Sequence, residues 1–267
     1  MTIALLGAGV MGQTLLAALV RSGHDPALLT VSDRSLARAE QVAGTVGARA
    51  LPAAEAAEGA DVLVLAVKPQ DMEVLVTEIR DHVRPEALVV SIAAAISTEF
   101  LEQRLPEGAS VVRVMPNTPA LVDEGMSAVS AGRHCTPEQL EQARVLLESV
   151  GRVVLIDESH QDAVTAISGS GPAYIFYVVE AMIEAGVLLG LPRDTSTELV
   201  VQTLYGAATM MRETDAHPTV LREQVSSPGG TTVAALRALE DHKVRAAFLT
   251  AMEAAARRSA ELSPPAS

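Results

Sequence analysis

A glycine-rich segment near the start of the chain could bind a phosphate-bearing ligand. The residues Gly7-Ala8-Gly9-Val10-Met11-Gly12 follow a short apolar run and precede an apolar segment with helical period. In that context the first glycine permits a tight turn, the second lets a pyrophosphate approach the backbone, and the third allows close helix–strand packing. The N–H groups at the helix N-terminus complete such a site. The motif therefore predicts a dinucleotide site, with an unliganded strand–helix turn as the alternative.

A second glycine-rich loop, Ser226-Ser227-Pro228-Gly229-Gly230-Thr231-Thr232, joins two segments with helical patterns. Its two glycines free the backbone, and the helix that follows presents unpaired N–H groups and the positive end of its dipole. Such a terminus suits a carboxylate. The loop is therefore predicted to bind an anion, whereas an ordinary helix–helix turn is the alternative.

The segment Ser32-Asp33-Arg34-Ser35 ends the second predicted strand, where dinucleotide enzymes distinguish their cofactors. An acidic residue at this place favours NAD through the ribose 2′-hydroxyl, while a nearby arginine accommodates the 2′-phosphate of NADP. Asp33 thus favours NAD(H), and Arg34 with Ser32 and Ser35 favours NADP(H), while a solvated turn is the alternative interpretation for either residue. We expect NADP(H) to be preferred, and NAD(H) stays the alternative.

Two further loops are predicted to follow strands at the same edge of the sheet, Ala66-Val67-Lys68-Pro69 and Met115-Pro116-Asn117-Thr118-Pro119. Open parallel sheets bind ligands outside the carboxyl ends of their strands. We therefore expect Ala66, Val67, Lys68 and Asn117 to lie near the cofactor. A surface lysine and a rigid proline turn are the alternative interpretations.

The elements that position these motifs alternate between strand and helix as far as about Asp157. Several strands are apolar on both faces, which is typical of a parallel sheet covered on both sides. Beyond that point the patterns are helical, and the tail from Ser263 is expected to be disordered. We predict an α/β Rossmann domain with a mostly parallel sheet over residues 1–157, followed by an all-α domain over residues 158–267. The predicted strands are Thr2–Leu6, Leu28–Ser32, Asp61–Val67, Ala87–Ile92, Val111–Met115, Gly125–Ala131 and Arg152–Ile156.

Composition restricts the possible partners and cellular compartment. A formal net charge of −13 argues against general nucleic-acid binding, which needs a basic face. The single cysteine, Cys135, excludes an internal disulfide and fits a reducing, cytoplasmic setting. The longest uncharged stretch, Ala163–Val179, is shorter than the roughly 20 residues that a membrane helix needs. Histidine and cysteine occur at no metal-ligand spacing, so we expect no metal. From the charge and the short apolar stretch we also expect no nucleic-acid partner and no membrane partner.

The segment Ala173–Leu189 is apolar nearly all round, broken mainly by Glu180 and Glu184. A helix of this kind must be buried, and in so small a domain a partner chain is a natural place to bury it. The helical half is therefore predicted to form a homodimer.

Five motifs occur in a familiar order: GAGVMG, AVKP, MPNTP, SGSGPAY and SSPGGTT. Together they resemble the pyrroline-5-carboxylate reductase family along essentially the whole chain. The resemblance implies a Rossmann domain followed by a helical dimerisation domain, NAD(P)H as hydride donor, and the last step of proline synthesis. It also implies a dimer that exchanges helices and often assembles into larger rings.

The resemblance also implies roles for individual residues. Cofactor roles fall on Gly7, Gly9, Gly12, Arg34, Lys68 and Asn117. Substrate-carboxylate binding falls on Ser227, Gly229, Gly230 and Thr231, and a catalytic hydroxyl facing the imine falls on Thr232. Asp33 stands where many members carry a neutral residue, and alanine occurs around Ala53 where some carry asparagine. Both departures leave the cofactor preference open.

Imine reduction needs little beyond positioning, because holding donor and acceptor in contact supplies much of the rate. This fits a chain whose histidines occupy no recognisable catalytic spacing.

Two other functions stay open. One is a β-hydroxyacid dehydrogenase, which would need a basic lysine on the helix after a glycine motif. In this sequence Gly171 is followed by Pro172-Ala173-Tyr174, without a lysine. A non-catalytic NADP sensor needs GAGVMG but not SSPGGTT.

Overall fold

The computed structural model describes residues 1–263, so the expectation for the tail beyond Ser263 lies outside the described residues. Contacts divide the chain into two compact units. Among the described residues the first contains 1–170 and 255–263, and the second is Gly171–Ala254. The predicted boundary between residues 157 and 158 stays a prediction.

The first unit is built on a sheet whose order is β3-β2-β1-β4-β5-β6-β7-β8. Neighbouring strands are parallel except β6 and β7, which pair antiparallel. The prediction of a Rossmann domain with a mostly parallel sheet is confirmed. Within residues 1–263 the strands are β1 Ile3–Leu6, β2 Leu29–Ser32, β3 Arg49–Ala50, β4 Val62–Leu65, β5 Leu88–Ser91, β6 Ser110–Met115, β7 Gly125–Ala131 and β8 Gly151–Leu155.

Helices cover both faces of this sheet, and the central strands are therefore buried on both sides. Leu5 and Val64 belong to one apolar cluster, while their neighbours Leu6 and Leu65 belong to the other. This alternation is the period of two that a strand requires. The helices that precede Ser170 are α1 Val10–Arg21, α2 Leu36–Val46, α3 Ala53–Glu58, α4 Met72–Ile79, α5 Thr98–Glu102, α6 Pro137–Leu147 and α7 Gln161–Val164.

Helices make up the rest of the described chain, as predicted. A π-helical turn, Thr165–Gly169, follows α7 and leads to the next helix. The helical segment after β4 consists of α4 flanked by the 3₁₀ turns Pro69–Asp71 and Arg80–His82. The later helices are α8 Gly171–Leu188, α9 Arg193–Thr214, α10 Pro218–Gln224, α11 Thr231–Asp241 and α12 Val244–Leu262.

A buried polar cluster ties the segment that follows β8 to the sheet. The Glu158 carboxylate accepts hydrogen bonds from the Thr98 N–H at 2.8 Å and from the Arg113 guanidinium at 3.2 Å. Arg113 is only 7% exposed, so its charge depends on this partner. The buried Gln161 amide donates nearby to the Ser130 hydroxyl at 2.9 Å. These contacts explain why residues 158–170 group with the sheet.

We expect Glu158→Ala to lower the free energy of unfolding by about 2–3 kcal/mol, because it leaves the buried Arg113 guanidinium without its carboxylate. Urea titration measures the change. Glu261→Ala is the control, since Glu261 pairs with Arg258 on the exposed surface and such pairs contribute about 0–1 kcal/mol. Equal effects of the two substitutions would contradict this role for Glu158.

Candidate functional site

The glycine-rich loop lies where the order of strands reverses, between β1 and β4. Gly7 has φ +116°, and a Cβ there would lie 2.6 Å from the carbonyl carbon of Ala66. The Gly7 N–H donates to the Ser32 carbonyl at 2.8 Å, and the Ala66 N–H donates to the Leu6 carbonyl at 2.8 Å. The ends of β1, β2 and β4 therefore approach closely around a residue without a side chain. Ligands of open parallel sheets bind at this switch point.

Gly9 leaves the space in front of α1 open. It is the N-cap residue of α1, and a Cβ on it would meet no described atom within 4 Å. Within residues 1–263 no side chain caps this helix. The first-turn N–H groups, including those of Val10 and Met11, are thus left for an anion. This open, uncapped N-terminus fits the pyrophosphate of a dinucleotide.

The end of β2 carries three polar residues with different environments. Ser32 is buried, and its carbonyl accepts the Gly7 N–H. The Asp33 carboxylate accepts from the N–H groups of Ala8 and Ser35, each at 2.9 Å. The Arg34 side chain is 93% exposed and lies 3.7 Å from the Asp71 carboxylate. Arg34 is therefore free to meet a phosphate, whereas Asp33 already holds two N–H groups of the protein.

The other predicted cofactor residues also lie at strand ends. Ala66, Val67 and Lys68 directly follow β4, and Lys68 is exposed. The Asn117 amide nitrogen donates to the Ser168 hydroxyl at 3.2 Å, and the Asn117 side-chain oxygen accepts the Met126 N–H at 2.8 Å. Asn117 therefore joins the loop after β6 to β7 and to the π-helical turn. The sequence pattern did not predict this contact, because the two residues are 51 positions apart.

The second glycine-rich loop positions the N-terminus of α11. Gly229 has φ +68°, a left-handed conformation that favours glycine. The Gly230 N–H donates to the Ser227 carbonyl at 3.0 Å, and a Cβ on Gly230 would lie 2.3 Å from the Ser227 hydroxyl oxygen. Among the described residues no side chain caps α11. Thr232, the second residue of α11, is half-buried.

Other titratable groups offer little alternative chemistry. Burial raises the pKa of the Cys135 thiol to about 11, so the nucleophilic thiolate is scarce at neutral pH. The Arg193 guanidinium, 2.8 Å from Glu184, lowers the pKa of that carboxyl. Glu184 is thus engaged in an ion pair with Arg193. In residues 1–263 no three histidine, cysteine or acidic side chains form a metal-binding group.

One helical segment, Glu158–Leu188, is long and apolar enough to cross a membrane by length and composition alone. The sequence predicted an uncharged stretch of only Ala163–Val179, which is shorter than a membrane helix needs. The structure instead continues it through the π-helical turn into α8. Core helices of soluble proteins pass the same test, so this feature alone assigns no membrane.

The sheet, the glycine loop at its switch point and the open N-terminus of α1 define a dinucleotide-binding protein of the Rossmann class. A family model described as NADP oxidoreductase coenzyme F420-dependent matches residues 2–95, and one described as pyrroline-5-carboxylate reductase dimerisation matches residues 158–262. The chain is 48% identical over 265 residues to a pyrroline-5-carboxylate reductase of Corynebacterium melassecola, covering 98% of each. This chain belongs to the pyrroline-5-carboxylate reductase family.

Solved structures agree with this assignment. A pyrroline-5-carboxylate reductase from Coxiella burnetii matches with a TM-score of 0.93 and 36% identity, over 99% of both chains. The pyrroline carboxylate reductase of Plasmodium falciparum, solved with NADP bound, matches with a TM-score of 0.88 and 29% identity, over 98% of both chains. The predicted helical dimerisation domain and the use of NAD(P)H are thereby confirmed at the level of the family.

Substitutions at two glycines of the first loop should affect ligand binding and stability separately. We expect Gly9→Ala to keep the stability of the wild type, because its Cβ meets open space, and to weaken dinucleotide binding by about tenfold or more. Gly12→Ala should lower the free energy of unfolding by about 1–3 kcal/mol, because its Cβ would lie 2.3 Å from the Gly7 carbonyl oxygen. Calorimetric titration and thermal unfolding measure the two effects. Wild-type affinity in Gly9→Ala would contradict the assignment.

Proposed function

We propose that this chain reduces Δ1-pyrroline-5-carboxylate to L-proline, the last step of proline biosynthesis, with NADP(H) preferred and NAD(H) as the alternative donor. The observation that carries the proposal is that this member of the pyrroline-5-carboxylate reductase family has two glycine loops, each followed by a helix N-terminus without a side-chain cap, at α1 and at α11. Such termini bind anions. A dinucleotide and a small carboxylate substrate are the two anions that this reaction requires.

The proposed cofactor site follows the carboxyl ends of β1, β2, β4 and β6. A bound nicotinamide dinucleotide supplies the hydride for the reaction. The main-chain N–H groups of the loop hold its phosphates, and the exposed Arg34 guanidinium supports the preference for a 2′-phosphate. The residues proposed to hold the cofactor are Gly7, Ala8, Gly9, Val10, Met11, Gly12, Ser32, Arg34, Ala66, Val67, Lys68 and Asn117.

The proposed substrate site is the loop before α11. The substrate carries a carboxylate one bond from a ring carbon that is itself bonded to the imine nitrogen. Gly229 and Gly230 turn the backbone so that N–H groups at the start of α11 are left unpaired. A carboxylate held there leaves the ring beside Thr232, one residue further along the helix. The residues proposed to bind substrate are Ser227, Gly229, Gly230, Thr231 and Thr232.

Thr232 is proposed to be the catalytic hydroxyl. Hydride transfer to the carbon of the protonated C=N bond leaves the ring nitrogen as a neutral amine, because the nitrogen already carries the proton it needs. A hydroxyl can donate to or accept from that nitrogen as its protonation changes, so Thr232 can hold the ring throughout. Positioning by Thr232 and the α11 N-terminus is thus the main contribution of these residues to the rate.

We further propose a domain boundary between residues 157 and 158, where the dimerisation match begins. We also propose a cytoplasmic location and a homodimer or a larger ring of dimers. All 18 residues of α8 keep at least intermediate exposure in the single chain, including Phe176 at 67% and Tyr177 at 75%. A second apolar surface is a groove of about 720 Å³ between α10, α11 and α12. Its lining includes Val233, Leu236 and Phe248. Exposed apolar surface of this extent supports burial against a second copy.

Addition of pyrroline-5-carboxylate to the protein with NADPH tests the function directly. Oxidation of NADPH with equimolar formation of proline is expected. A β-hydroxyacid dehydrogenase would instead reduce NADP⁺ on addition of β-hydroxyacids, and a dinucleotide sensor would bind NADPH without turnover. Either of those results would contradict the proposed reaction and favour the other function.

We expect Thr232→Ala to reduce kcat/KM for pyrroline-5-carboxylate by about three- to tenfold, the effect of losing one hydrogen bond of about 0.5–1.5 kcal/mol. The affinity for NADPH should change little, because the phosphates bind at residues 7–12. Thr232→Ser keeps the hydroxyl and is the matched control, in which most activity should return. Steady-state kinetics measure kcat/KM for pyrroline-5-carboxylate, and calorimetric titration measures the affinity for NADPH. If cofactor binding falls as much as turnover, the substrate has been placed wrongly.

The dimer proposal predicts that Phe176→Glu dissociates the protein, because it places a charge on an apolar face that a second copy would bury. Val74→Glu is the control, since Val74 is 72% exposed on α4 of the sheet-containing unit. Sedimentation velocity should show monomer only for Phe176→Glu. A wild-type protein that stays monomeric and active at nanomolar concentration would overturn the proposal.

A further inference from the structure

Asp33 connects two segments that both border the proposed cofactor site. One carboxylate oxygen accepts the N–H of Ala8, in the glycine-rich loop, at 2.9 Å. The other oxygen accepts the N–H of Ser35, at the start of α2, also at 2.9 Å. Ala8 is completely buried, and 25 residues separate it from Asp33. The carboxylate therefore holds the loop to the end of β2 by charge-assisted hydrogen bonds.

An acidic residue at the end of the second strand ordinarily predicts recognition of the ribose 2′-hydroxyl, and hence a preference for NAD. Here both oxygens of Asp33 already have backbone donors. The exposed Arg34, the next residue, carries the positive charge that could meet a 2′-phosphate. The two neighbours thus differ: the Asp33 carboxylate accepts two backbone N–H groups of the protein, whereas the Arg34 side chain is 93% exposed.

We propose that Asp33 is a positioning residue, which fixes the glycine-rich loop for the pyrophosphate and does not select between NAD(H) and NADP(H). The inference rests on the proposed function only in that this loop binds a dinucleotide. Because the pyrophosphate is common to both cofactors, loss of the Asp33 contact affects the two equally. Selection between the cofactors then belongs to Arg34.

The isosteric variant Asp33→Asn tests the inference, because it removes the charge and replaces one acceptor oxygen with an N–H donor. We expect the Kd values of NADPH and NADH, measured by calorimetric titration, to rise by the same factor, about tenfold. The KM values of both cofactors should rise likewise, while kcat at saturating cofactor changes less than twofold. Arg34→Ala is the matched control at the adjacent position, and it should weaken NADPH more than NADH.

Selective weakening of NADH in Asp33→Asn, or tighter binding of NADPH, would show that Asp33 contacts the ribose and would overturn the inference. Wild-type protein that binds neither dinucleotide would instead refute the proposed function, so the two failures are distinguishable. Hydrogen exchange of the Ala8 amide in the wild-type protein without cofactor needs no variant. Protection of that amide is expected, and exchange at the rate of an unprotected amide would contradict the contact.

Discussion

The contact of backbone against backbone at Gly7 is the constraint on which the first unit's site depends. Where β1 ends, the chain passes so close to Ala66 and Val67 that a Cβ would lie 2.6–2.8 Å from their main-chain atoms. This approach places the N-terminus of α1 at the switch point between β1 and β4. The Asp33 carboxylate and the Ser32 carbonyl then hold the same loop from the side of β2. The site is therefore built mainly from main-chain geometry.

Main-chain recognition also reconciles anionic ligands with an acidic protein. A formal net charge of −13 would repel a dinucleotide and a carboxylate if binding relied on the charge of the whole surface. Uncapped helix N-termini supply local positive potential without basic side chains. The same device serves α1 and α11, where two different glycine loops leave the first-turn N–H groups available. Arg34 adds one cation at the place where the two nicotinamide dinucleotides differ.

The sequence predicted most of the sheet and both glycine loops, because apolar runs and Gly-rich turns are local signals. It did not predict β3, which has two residues, or the alanine-rich α3, since neither has a distinctive pattern. The contacts made by Asp33, Asn117 and Glu158 join residues that are 25 to 60 positions apart. Such contacts follow from tertiary packing, which no local spacing encodes. For the same reason the sequence left the role of Asp33 open between NAD recognition and a turn.

The central claim is that this chain transfers a hydride from NADPH to the imine carbon of Δ1-pyrroline-5-carboxylate. Deuterium transfer tests this most directly. NADPH labelled with deuterium at the transferable position of the nicotinamide should yield proline with deuterium at C5, the former imine carbon, as detected by mass spectrometry and NMR. Thr232→Ala should give the same label at a lower rate. Proline without deuterium at C5, or deuterium released to solvent, would contradict the account.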